Sequence, residues 1–235
     1  MQRSKDCGTS RRAFLRTAGA MALAPWVIPP SARGADGTVA PSNRVTLGFI
    51  GIGFMGQRHH LSRFVNYPEA QVLGVCDVDR WRRHFAQKAV ETAYAADRPS
   101  GTYRGCTAYT DLRELLARDD IDAVVISTPD HWHVPIALDA IRAGKDVALE
   151  KPITRTIREG QELIEAAARH RSVFRVDSEF RSLAHVHRAA SLVRNGYIGK
   201  VRRVTACVPQ TDIPCPPQPD MPVPAELDYE RWQGP

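Results

Sequence analysis

Short apolar runs alternate along this chain with stretches whose apolar residues have helical spacing. Val45–Ile50 is mostly apolar, with the length and composition of a buried strand. Helix-compatible residues follow to Asn66, and Pro68 stops them. Gln71–Cys76 is a second strand, and Asp79–Ala95 reads as a helix. Ala96–Thr107 is a loop with Pro99, Gly101 and Gly105. Asp111 and Glu114 make an N-terminal capping pattern before Leu112, Leu115 and Leu116. Ala123–Ile126 is a fourth buried strand, and helix Val134–Ala143 ends at Gly144. Asp146–Leu149 is a fifth strand. Helix Thr156–His170 has Leu163, Ile164 and Ala167 on one face, and Ser172–Val176 is a sixth strand. This alternation predicts an α/β fold: a Rossmann-type, doubly wound parallel sheet with ligand at the strand C-terminal ends.

Beyond residue 176 the pattern changes. Helix Ala184–Asn195 ends at Gly196, and Lys200–Val208 alternates Val201, Val204, Ala206 and Val208 as a half-buried strand of a different sheet. Pro209–Pro224 is proline-rich and reads as a covering segment or loop. The expected organisation is a leader over 1–35, a linker over 36–43, a nucleotide-binding domain over 44–176 and the start of a second domain over 177–235. In the leader, Ser10-Arg11-Arg12-Ala13-Phe14-Leu15-Arg16 resembles the twin-arginine export motif. The apolar run Ala18–Ile28 is too short to span a bilayer as a stable helix, and Ala32, Gly34 and Ala35 suit a signal peptidase. This predicts export by the twin-arginine machinery to the periplasm or beyond, with the uncleaved leader as a membrane tether left open.

The net charge is +6. Arg3, Lys5, Arg11, Arg12, Arg16 and Arg33 against Asp6 place nearly all of it before residue 35, so the rest of the chain is about neutral. A basic leader explains the charge, and no nucleic-acid face is needed. Cys7, Cys76, Cys106, Cys207 and Cys215 form no C-x-x-C pair and suggest neither a disulfide framework nor a zinc site.

The chemistry begins at the end of the first strand. Gly51, Gly53 and Gly56 are spaced G-x-G-x-x-G within Gly51-Ile52-Gly53-Phe54-Met55-Gly56. The first glycine allows the tight turn, the second lets a pyrophosphate approach the backbone, and the third lets the helix pack on the sheet. The helix N-terminus offers free N–H groups to the phosphates. Asp77 ends the second strand, where a carboxylate accepts from the adenosine ribose hydroxyls and repels a 2′-phosphate, favouring NAD over NADP. Arg80, Arg82 and Arg83 close by could instead attract that phosphate, and Asp77 could simply cap the next helix.

Ser127-Thr128-Pro129-Asp130-His131-Trp132-His133 follows the fourth strand, and Glu150-Lys151-Pro152 follows the fifth. With GIGFMG, AGKDVALEKP and LVRNGYIGKVRRV, they resemble the Gfo/Idh/MocA family of nicotinamide-dependent oxidoreductases from about Arg44 onward. The resemblance implies that Lys151 lies by the nicotinamide and takes part in proton transfer. Loss of hydride from a carbinol requires its hydroxyl proton to leave, and an ammonium stabilises developing alkoxide. It also implies that Glu150 orients Lys151 or meets the cofactor ribose, that the Lys151–Pro152 peptide is cis, and that Thr128, Pro129 and His133 lie near the nicotinamide. Arg181 stands where the family carries a polar substrate-side residue, with a surface salt bridge as the equal reading. His131 and His133 have a ligand spacing, but no Cys or carboxylate set completes a metal site. Trp132 could stack on a ring or pack under its loop.

Family members carry a second domain on an open, largely antiparallel sheet that supplies further catalytic residues, commonly an Asp and a His. The chain's last residues follow the first strand of such a domain, and one strand cannot form a sheet. An incomplete α+β substrate domain, a homo-oligomer in the full-length protein and a fragment of low turnover are therefore expected. The resemblance implies hydride transfer between a sugar or polyol carbinol and NAD(P). An NAD-using glycoside hydrolase and a nucleotide-binding fragment without turnover are the alternatives.

Overall fold

The computed structural model describes residues 39–98, 101, 103–207 and 216–234. The leader, linker residues 36–38, Cys7, Cys215 and the first part of the proline-rich segment lie outside the described residues. The chain divides into two units, Met1–Ser42 and Asn43–Pro235, and every strand of the sheet belongs to the second.

Six parallel strands form one sheet in the order β3-β2-β1-β4-β5-β6. They are β1 (Val45–Ile50), β2 (Ala70–Cys76), β3 (Thr107–Tyr109), β4 (Ala123–Ile126), β5 (Asp146–Glu150) and β6 (Phe174–Asp177). Strand order reverses between β1 and β4, which makes the switch point where such sheets hold ligands. The central strands are mostly apolar, as expected where helices cover both faces of a parallel sheet. Phe49, Val72, Val75, Val124, Ile126 and Leu149 are all inaccessible to solvent.

Helix α1 starts as a π-helix over Met55–Leu61 and runs into Ser62–Phe64. Helix α2 (Arg80–Ala93) is capped by Asp79, whose side chain accepts from the Trp81 and Arg82 amides. Helix α3 (Leu112–Leu116) is capped by Asp111, which accepts from the Arg113 amide. A register shift after Leu47 sets Gly48 opposite Gly74. Leu115 of α3 covers both; a Cβ on Gly48 would fall 2.6 Å from its side chain. Asp122 clamps the start of β4 to β1 by accepting from the Thr46 amide at 2.8 Å and its hydroxyl at 2.7 Å.

Helix α4 covers Asp130–Arg142, α5 covers Ile157–His170 and α6 covers Ala184–Arg194. Helix α4 begins four residues before the expected Val134, so His131 and His133 are in its first turns and not on an entering loop. The short strand β3 begins at Thr107, the last residue of the span that reads as loop, and continues through Ala108 and Tyr109, which carried no expected element. Of the strand expected over Lys200–Val208, the described residues form none: 201–207 are exposed and make no ladder, and Val208 lies outside the described residues. A strand is stabilised by its neighbours, and among the described residues none lies beside it. Residues 224–234 return to the sheet and end in the short helix α7 (Tyr229–Gln233). No described helix is long and apolar enough to cross a membrane.

Candidate functional site: a dinucleotide crevice

The turn after β1 is built by its glycines. Gly51 has φ +86°, and a Cβ there would lie 2.7 Å from the Ser127 backbone. A Cβ on Gly56 would lie 2.2 Å from the Gly51 carbonyl oxygen, so only glycine lets the π-turn close against the strand end. At Gly53 the nearest atom to an added Cβ is the Arg82 guanidinium at 3.4 Å, and the space is otherwise open to a ligand.

Asp77 faces this turn from the end of β2. Its Oδ2 accepts from the Ile52 amide at 2.5 Å and its Oδ1 from the Asp79 amide at 2.8 Å. Asp79, not Asp77, caps α2, which removes the capping alternative. Burial pushes the Asp77 carboxyl up from its ordinary value, against the pull of those two amides. Two cations stand close by, and Arg82 lines the cavity itself. Arg82 lies 3.4 Å from Asp79 Oδ2, and Arg83 donates to the Asp77 carbonyl at 2.6 Å.

A cavity of about 490 Å³ opens at the C-terminal edge of the sheet. Gly51, Gly53, Phe54 and Met55 line it from the glycine turn, with Asp77 and Arg82 from the β2 side and Ser127, Thr128 and Pro129 from β4. The buried hydroxyl oxygens of Ser127 and Thr128 have no hydrogen-bond partner. Buried polar groups are rarely left so. The open face of Gly53, the carboxylate and these two hydroxyls fit a dinucleotide lying across the switch point.

On the β5 side the residues tie loops together. His133 is 1% exposed, with Nδ1 2.6 Å from the Pro152 carbonyl oxygen and Nε2 2.9 Å from that of Thr128. It joins the β4 and β5 loops and has no ring nitrogen left for a cofactor or metal. The Nε2 of His131 is likewise taken by the Trp232 carbonyl at 2.9 Å. Glu150, expected among the cofactor contacts, is buried with both oxygens used. Oε2 accepts from the Lys151 amide at 2.9 Å, and Oε1 lies 2.8 Å from His60 Nε2. Of its two expected roles, the accepted Lys151 amide is in keeping with orienting Lys151. Lys151 is exposed at the end of β5, and its peptide to Pro152 is cis as the resemblance implied. Lys151 follows the strand next to β4 and is not among the residues that line the cavity. Arg181 is exposed on the 3-10 turn Glu179–Ser182 after β6, away from the cavity lining.

Sequence reasoning missed His60. It projects from α1, and its Nδ1 lies 3.3 Å from Asp177 Oδ2 at the end of β6. His60, Glu150 and Asp177 are metal-ligating types with donor atoms within 4.8 Å of one another. The imidazole sits between the carboxylates with a nitrogen on each, so the cluster closes on itself. No local signal marks it, since the three residues come from three separate elements. The reach of residues 226–234 into the crevice was also missed.

The comparisons agree with this geometry. A family model described as oxidoreductase family, NAD-binding Rossmann fold (GFO_IDH_MocA) matches residues 45–178. Glycosyl hydrolase family 109 protein 2 of Shewanella sp. (strain ANA-3) is 38% identical over 176 residues, covering 68% of this chain and 37% of its own length. The alpha-N-acetylgalactosaminidase of Shewanella oneidensis is 35% identical over 179 residues, with the same shares covered. This chain thus spans little more than a third of those relatives. Among solved structures, an NAD binding oxidoreductase from Klebsiella pneumoniae superposes with a TM-score of 0.55 at 28% identity, over 66% of this chain and 40% of that one. KijD10, a 3-ketoreductase from Actinomadura kijaniata crystallised with TDP-benzene and NADP, has a TM-score of 0.58 at 24% identity, over 68% and 46%. At that identity the likeness concerns the fold alone.

Proposed function

The chain belongs to the Gfo/Idh/MocA oxidoreductase family, and from that premise we propose that the protein moves hydride between a sugar or polyol carbinol and a nicotinamide. The observation that carries this reading is the placement of Lys151. It follows β5, the strand that pairs with β4, two strand ends along from the glycine turn after β1, and its amide donates to Glu150. The nicotinamide, when bound, supplies the hydride acceptor or donor. Lys151 Nζ takes the hydroxyl proton as the carbinol becomes a carbonyl, and returns it in the reverse direction. Its ammonium form stabilises negative charge on the same oxygen. The glycine turn and the hydroxyls of Ser127 and Thr128 bind the pyrophosphate side, and Asp77 accepts from the adenosine ribose.

NAD is the preferred cofactor in this reading. Asp77 meets the ribose and its carboxylate repels a 2′-phosphate, and Arg83 is engaged with the Asp77 carbonyl; Arg82, which lines the cavity, is the cation that pulls the other way. The twin-arginine pattern at Ser10–Arg16 supports export of the folded, nucleotide-loaded protein. In the full-length protein, Lys151→Ala should retain bound nucleotide and lose turnover by at least about 10²-fold. Unchanged turnover refutes the role.

A second reading is favoured by the relatives. Two of them are named as glycosidases, at 35% and 38% identity. A transient oxidation of a sugar hydroxyl would allow the glycosidic bond to be eliminated, with the same lysine and crevice. The products separate the two readings. Aryl N-acetylgalactosaminide cleaved without net accumulation of reduced nucleotide supports the glycosidase, whereas one reduced nucleotide per oxidised polyol supports the dehydrogenase.

A further inference from the structure

The crevice is not built from the parallel sheet alone. Residues 226–234 cross its mouth and are fastened on both sides. On the β2 side, Leu227 makes an antiparallel bridge with Asp79. The Arg80 amide donates to the Glu226 carbonyl at 2.9 Å, and the Asp228 amide to the Val78 carbonyl at 3.2 Å. On the α4 side, Trp132 Nε1 donates to the Arg231 carbonyl at 2.9 Å, and His131 Nε2 lies 2.9 Å from the Trp232 carbonyl oxygen. Gly234 continues the chain past the Trp132 indole at φ +71°, where a Cβ would lie 2.7 Å from that ring. Three residues of this segment, Leu227, Arg231 and Trp232, line the same cavity as the glycine turn and Asp77.

Their side chains are set in advance. The Arg231 guanidinium is 3.4 Å from Asp111 and 3.4 Å from Asp228. Trp232 stacks on Tyr229 with centroids 5.8 Å apart and meets His131 edge-on at 6.2 Å, yet remains 43% exposed. A large ring held by two aromatic neighbours with an open face costs little entropy when it packs on a ligand.

We propose that residues 226–234 form the outer wall of the adenosine site, with Leu227 and Trp232 as apolar contacts and Arg231 as a fixed polar one. In an open α/β sheet the adenosine half lies beside the end of β2, across from the loop after β4. The segment spans those two places. Bound adenosine is then enclosed by the glycine turn, the β2 and β4 ends and this strap, and it leaves slowly. The inference rests on the nucleotide-binding reading above and adds residues that the glycine motif does not include.

The test uses the full-length protein and three probes: NAD, ADP-ribose, and nicotinamide mononucleotide, which lacks the adenosine. Trp232→Ala and Gly234→Ala should each weaken NAD and ADP-ribose by about tenfold, the size of one lost ring-on-base contact, and speed their dissociation. The mononucleotide should be unaffected, as should Arg194→Ala on α6. Hydrogen exchange in the unaltered protein gives a second reading that needs no variant, because ADP-ribose should slow exchange at Asp228, Arg231 and Trp232. NAD and ADP-ribose affinities within twofold of the original in both variants, or no added protection of the strap, would overturn the proposal. Failure of the unaltered protein to bind either nucleotide would instead sink the nucleotide-binding reading itself.

Discussion

Asp77 holds its carboxylate in place with two backbone amides while burial works against its charge. At the scale of this residue, Asp77→Ala removes the group that repels a 2′-phosphate. The ratio of NADP to NAD dissociation constants should then move toward one, read by titration with each nucleotide. The raised carboxyl also sets a sign. A folded value above the unfolded one means the group favours folding most in acid, and that contribution is lost as pH rises through the raised value. For binding, the carboxylate form is the one that accepts from ribose. NAD affinity should therefore fall on the acid side at a higher pH than an ordinary aspartate would give. Asp77→Asn should flatten that limb. The cysteines give an independent check of burial. The Cys76 and Cys106 thiols are pushed up to about 12, chiefly by burial, whereas Cys207 is exposed. At pH 8 iodoacetamide should label Cys207 in the native protein and reach Cys76 and Cys106 only after denaturant is added.

At the scale of elements, the π-turn of α1 and the cluster it carries tie the glycine motif to the β5 and β6 ends. His60→Ala leaves Glu150 and Asp177 facing each other without the ring between them. A loss of about 3 kcal/mol is expected from breaking a buried group of this kind. His60→Gln, which keeps one donor, should lose less. Because His60 reaches Lys151 only through Glu150, its conservative variant should lower turnover in the full-length protein more than it lowers NAD affinity. Leu115→Ala would empty the space over Gly48 and Gly74, at a cost of about 3 kcal/mol, measured by denaturant titration. These elements also show what the amino-acid pattern carries. β1, β2, β4 and β5 were legible because each is an apolar run ended by glycine, a carboxylate or proline. The glycine turn was legible because its spacing is local. β3 is too short to form a run, and the start of α4 is masked by the polar and aromatic residues Asp130–His133. The strand expected over Lys200–Val208 depends on partners that no local pattern supplies. The His60 cluster and the strap are non-local pairings, which a linear pattern does not encode.

At the scale of the whole molecule, burial divides the second unit unevenly. Most residues closed to solvent belong to β1, β2, β4, β5 and the helices directly on them, with Phe49, Val124, Ile126 and Leu149 at the centre. Helix α6 has no buried residue, and residues 201–207 are exposed throughout. Stability against local opening follows buried apolar contact, so protection should be graded along the chain. Amides of β1, β4 and β5 should exchange only on global unfolding. Those of α6 should exchange by local opening at far lower denaturant, although α6 has a full complement of helical hydrogen bonds. The strap is the informative intermediate. It has few buried groups but is hydrogen-bonded on both sides of the crevice, so its amides should exchange faster than β1 and slower than α6. Hydrogen exchange across a denaturant series reads all three classes at once. Equal protection of α6 and β1 would mean that α6 is packed on something beyond the described residues.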